Sequence, residues 1–108
     1  MTLNDLGLEV HATAVEKGFW PESIGREPDT YVAKLMMVTT EIAEIVEAYR
    51  KQQGHAQISD EFADVVIRLV DLYAAFQEDG IVLSTLDEAI EAKTEVNKSR
   101  PHKHGNLI

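Results

Sequence analysis

The sequence predicts an all-α protein: a four-helix bundle-like single domain over residues 1–108. Three observations predict it. Residues 61–76 run without Gly or Pro and carry only four formal charges, Glu61, Asp64, Arg68 and Asp71. Breakers at Gly18, Gly54, Gly80 and Pro101 divide the chain into helix-length pieces. Within the pieces, apolar residues recur at three- and four-residue spacing.

The stretch from Asp60 to Phe76 is the organising element. At about 100° per residue its four charges fall within an arc of roughly 80°. The rest of the circumference is apolar, wider than a helix on a monomer's surface usually shows. The narrow charged line either faces water or converges on something that satisfies its carboxylates. Arg68 lies one turn from both Asp64 and Asp71 and can neutralise part of the line.

The first helix is expected from Thr2 to Lys17, with Leu3, Leu6, Val10 and Ala14 on its apolar face and Gly18 past its end. Thr2 and Asn4 are both available as caps. His11 reads as an ordinary lone histidine. Phe19 to Asp29 reads as a loop, with Pro21, Gly25 and Pro28. Phe19 and Trp20, at its start, fit a lid on the core; the functional reading is a wall against a flat ligand such as a nucleobase.

The second helix is expected from a cap at Asp29 or Thr30 to about Gln53, closed by Gly54. Its charged positions include Lys34 and the neighbours Glu41 and Glu44. Ser59 is the expected cap of the third helix. With that start, Glu44 stands about ten residues before the turn and Asp64 about five after it, so the two do not come level in an ideal hairpin. The fourth helix starts at Ser84 or Thr85, where Thr85-x-x-Glu88 has the capping-box pattern, and stops before Pro101. The tail from residue 98 is basic, with Lys98, Arg100 and Lys103 near His102 and His104. It reads as a solvated end or as an anion clamp for phosphates.

The chain has no cysteine, which excludes disulfides and thiolate metal sites, and a formal charge of −9, which argues against a nucleic-acid partner. No apolar run approaches the length of a membrane span, so no membrane partner is expected. With no secretory leader pattern, the expected location is cytoplasmic. Glu41-x-x-Glu44 and Glu61-x-x-Asp64 each place two carboxylates on one helix face. Opposed, they form an all-oxygen donor set suited to Mg²⁺ or Mn²⁺, and through it to phosphate substrates. No Glu or Asp has a His three residues later, which ranks a di-iron carboxylate bundle low. A phosphate-binding Gly-rich loop is also missing.

The residues Glu41-Ile42-Ala43-Glu44, then Asp60 through Arg68, then Lys93, Asn97 and Arg100-Pro101-His102-Lys103-His104-Gly105 resemble the MazG-like branch of the all-α nucleoside triphosphate pyrophosphatase superfamily. The resemblance covers about residues 30–105. It implies a nucleoside triphosphate pyrophosphohydrolase that converts (deoxy)nucleoside triphosphates to monophosphate and pyrophosphate. It implies that Glu41, Glu44, Glu61 and Asp64 hold Mg²⁺ and are the catalytic set. It implies substrate contacts from Lys93, Asn97, Arg100 and His104, with Lys34 and Trp20 carried over beside them. The implied assembly is a homodimer or homotetramer with sites between helices of neighbouring subunits. Many members have a Glu where this chain has Thr40, which leaves open the group that deprotonates the attacking water. Two rival readings remain at this level. One is phosphoribosyl-ATP as the substrate of the same chemistry. The other is a noncatalytic helical module that binds nucleotides or a protein partner.

Overall fold

The structure is a computed structural model, and it describes residues 1–21 and 26–101. Every regular element among them is helical: α1 (Leu3–Glu16), α2 (Pro28–Arg50), α3 (His55–Glu78) and α4 (Leu86–Lys98). The all-α expectation therefore holds. Helix α3 is central and packs against both α1 and α2, while α4 rests on α1. No helix among the described residues is long and apolar enough to cross a membrane.

Local chemistry sets the helix ends. Thr2 caps α1 and Thr85 caps α4, each in a reciprocal box with the acid three residues on, Asp5 and Glu88. Backbone and hydroxyl hydrogen bonds from these threonines hold both carboxyls below their ordinary pKa range. Asp87 adds a cap in trans: its carboxylate accepts from the Leu3 and Asn4 amides at 3.0 and 2.8 Å, tying α4 to the start of α1. Helices α1 and α3 close on left-handed Gly18 and Gly80, where the missing Cβ removes the steric penalty.

Three boundaries differ from the sequence reading. Helix α2 starts on Pro28, which needs no amide partner in the first turn, rather than after a cap at Asp29 or Thr30. It ends before Gln52, which takes the left-handed conformation (φ 54°) in place of Gly54. Gly54 instead precedes the first residue of α3, so α3 begins at His55 and Ser59 lies inside it. The earlier end of α2 and earlier start of α3 change the heights, so that Glu41, and not Glu44, comes level with Asp64. Glu41 lies nine residues before Arg50 and Asp64 nine residues after His55, so the two face each other across the hairpin.

The core gathers Trp20, Tyr31, Leu72 and Ala75, with Ala14 and Phe76 against it. Tyr31 meets Phe76 edge-on at 4.8 Å between ring centres. Gly7 and His11, one turn apart, form the buried side of α1. A methyl group on Gly7 would meet the Val70 carbonyl oxygen at 2.8 Å, so Gly7 is what lets α1 approach α3 closely.

Much apolar surface remains exposed in the single chain. On α2, Leu35, Ile42, Val46 and Tyr49 form one exposed stripe. Phe62, Val66 and Leu69 form another on α3, opposite its charged line.

Candidate functional site

Helices α2 and α3 bring Glu41, Glu61 and Asp64 together: one carboxylate oxygen from each lies within 4.8 Å of the others. Glu41 and Glu61 are half-buried and Asp64 is exposed. Two neighbouring side chains partly satisfy the group. The Arg68 guanidinium donates to Glu41 at 2.8 Å, and the Gln57 amide donates to Glu61 at 2.6 Å. Three carboxylates against one guanidinium leave two negative charges, which one divalent cation would balance. The donors are all oxygen, the set that suits Mg²⁺ or Mn²⁺. The residues therefore fit such an ion.

Glu44, one turn along α2 from Glu41, is exposed, and its carboxylate stands outside the converging group. Thr40 is exposed and its hydroxyl donates back to the Met36 carbonyl.

A cleft of about 430 Å³ opens beside Asp64. It falls in the roughly 300–1,000 Å³ range of small-molecule sites. Phe19, Trp20, Met37, Ile67 and Leu72 supply apolar wall, and Lys34, Arg68 and Asp71 supply charge. Of the charged line predicted along α3, Asp64, Arg68 and Asp71 line this cleft, and Glu61 does not. The Lys34 ammonium lies 4.6 Å from the centre of the Trp20 ring and donates to the Phe19 carbonyl at 2.6 Å. Its burial in the cleft pulls its pKa below the usual lysine range, with the Asp71 charge opposing that shift.

Trp20 and Asp71, both in the cleft wall, join a network of residues that the sequence reading did not connect. Trp20 is buried, and its indole N–H is shared between both oxygens of Asp71 at 3.0 and 3.1 Å. His11, far from ordinary, is 6 % exposed and bridges two carboxylates of α3. Its Nδ1 lies 2.7 Å from Asp71 and its Nε2 3.0 Å from Glu78. Arg26 lies against the Trp20 ring at 4.8 Å and pairs with Glu78 and Asp79, while the Tyr31 hydroxyl donates to Asp79. The one available signal was spacing: Gly7 and His11 fall in the same arc of α1 as Leu3, Val10 and Ala14.

Lys93, Asn97 and Arg100 are exposed on or just beyond α4, and none of them lines the cleft of the single chain. His104 lies outside the described residues. No family model, no curated protein and no solved structure matches this chain.

Proposed function

We propose that the protein is a Mg²⁺-dependent nucleoside triphosphate pyrophosphohydrolase of the MazG-like kind. The observation that carries the reading is the convergence of Glu41, Glu61 and Asp64 across two helices, at the mouth of an aromatic and cationic cleft. In this reading Glu41, Glu61 and Asp64 hold the ion. Glu44 is the fourth acid that the resemblance adds, within one helical turn of Glu41. The bound ion supplies Lewis-acid stabilisation of phosphoryl charge and a more acidic bound water.

The chain's own groups do the rest. Arg68 stands between the acids and the cleft, and its guanidinium is suited to a forked contact with phosphate oxygens. Lys34 can exchange the Phe19 carbonyl for an anionic ligand, which would return its pKa toward the usual lysine range. Trp20 and Phe19 form the apolar wall of a nucleoside pocket. Among the acids, a carboxylate oxygen left free by the ion accepts the proton of the attacking water, a role that Thr40 cannot take.

The same reading includes a second copy of the chain. The exposed stripes on α2 and α3 would be covered in a homodimer or homotetramer. Lys93, Asn97 and Arg100 would then reach the phosphates of a neighbouring subunit's site.

The test is pyrophosphate release from a panel of deoxy- and ribonucleoside triphosphates and phosphoribosyl-ATP, with Mg²⁺ and with chelator. The expected result is metal-dependent release with nucleoside monophosphate as co-product. A melting shift with Mg²⁺ and nucleotide but no pyrophosphate from any substrate would replace the enzyme with a noncatalytic binding module.

A further inference from the structure

We infer that Asp71 is a specificity-determining residue that selects bases bearing an exocyclic amino group. The inference rests on the nucleotide reading of the cleft and adds to it the class of base. Asp71 stands seven residues beyond Asp64 on α3, about 10 Å along the helix axis at the usual rise. That interval, with Arg68 between, is filled by the cleft. With the triphosphate held at the acids, the sugar and base extend toward Asp71 and Trp20.

The chemistry of that end is an acceptor. An ionised carboxylate offers about four lone-pair sites. Oδ1 of Asp71 takes the Trp20 indole N–H at 3.0 Å and His11 Nδ1 at 2.7 Å. Oδ2 takes only the second branch of the indole hydrogen, at 3.1 Å. The side chain is 19 % exposed and lines the cleft, so one acceptor site of Oδ2 is left for a ligand. Lys34, a cation of the wall, donates to the Phe19 carbonyl instead. The carboxylate cannot turn away, because Trp20 and His11 hold it from two directions. His11 is itself fixed by Glu78.

A fixed anionic acceptor discriminates by charge and hydrogen bonding. An amino group donates to it, whereas a carbonyl oxygen at the same position meets it lone pair to lone pair. Two substrate pairs carry this difference, each together with a ring nitrogen beside it that is an acceptor in the amino base and an N–H donor in the oxo base. dCTP and dUTP differ at the amino or oxo group of one pyrimidine ring, and dATP and dITP do so for a purine. Comparing the pairs also shows which ring size the cleft prefers.

The experiment measures kcat/KM for all four with Mg²⁺, and the quenching of Trp20 emission by dCMP and dUMP. Trp20 is the single tryptophan, so the emission reports this end of the cleft alone. The expected result is a preference for the amino member of at least one pair by about ten-fold or more, the scale of one hydrogen bond to a charged group. Quenching should be stronger with dCMP than with dUMP. Asp71→Asn tests the assignment. The indole N–H requires the amide oxygen, which turns the amide NH₂ into the cleft, so the preference should fall to near parity or invert. An unchanged Trp20 emission maximum shows that the wall is intact. Equal kcat/KM within both pairs overturns the role of Asp71 and leaves the reaction standing. If no nucleotide is hydrolysed, the reaction reading fails, and equal or absent quenching by dCMP and dUMP then overturns the inference as well.

Discussion

Glu41→Gln, Glu61→Gln and Asp64→Asn should each lower Mg²⁺-dependent pyrophosphate release by about a hundred-fold or more, with the helical circular dichroism unchanged. Each change keeps the side chain's size and removes one negative charge from a group whose surplus is two. Glutamine and asparagine still offer an oxygen, but a neutral one, which binds a hard divalent cation far less well. The fold should tolerate all three substitutions. Glu41 and Glu61 are only half-buried, Asp64 is exposed, and none belongs to the aromatic core. Glu44→Gln should cost less, because its carboxylate lies outside the converging group. Arg68→Lys offers a useful contrast: it keeps the charge that faces Glu41 but loses the fork. Full activity in both Glu41→Gln and Asp64→Asn would end the metal-cage account.

Gly7→Ala should destabilise the fold by about 1–3 kcal/mol, although alanine is the better helix former. The intrinsic preference favours alanine by about 1 kcal/mol in a helix interior. Against it stands a Cβ placed 2.8 Å from the Val70 carbonyl oxygen and 3.4 Å from its carbonyl carbon. Both are main-chain atoms of the central helix, so no side chain can swing aside. Relief requires α1 to move off α3, and His11 on the next turn moves with it, loosening its contacts to Asp71 and Glu78. For a domain of this size the melting temperature should fall by several degrees, roughly 4–8 °C per kcal/mol. A higher melting temperature in the variant would show that α1 shifts freely and that the close approach is not what sets its position.

The helices were legible because breakers and apolar spacing agree along the chain. Thr85 with Glu88, and the glycines at 18 and 80, mark ends that local chemistry alone decides. The start of α3 was not legible. Ser59 offers a hydroxyl cap, whereas Gly54 offers none, and yet the helix begins at His55 without a side-chain cap. Ala56 and Gln57 are exposed and Ile58 is half-buried, and the Gln57 amide bonds Glu61 one turn on, so local helical interactions extend α3 without a cap. That single turn decides whether Glu41 comes level with Asp64, so the carboxylate pairs could be read from spacing while their convergence could not. The Trp20, His11 and Asp71 arrangement was out of reach for a different reason. It joins a loop to two helices, and a lone histidine carries no local signature of the acids it will meet. Lys93, Asn97 and Arg100 stand apart from the cleft in the single chain, so their carried-over role depends on a second copy.

The most direct measurement is Mn²⁺ binding followed by electron paramagnetic resonance, on the protein and on Glu41→Gln, Glu61→Gln and Asp64→Asn. The account predicts loss of the free Mn²⁺ signal on adding the protein, its recovery on adding Mg²⁺, and markedly weaker binding in each variant. Binding that is absent both with and without nucleotide, or that is unchanged in all three variants, would contradict the claim that these acids hold a divalent cation.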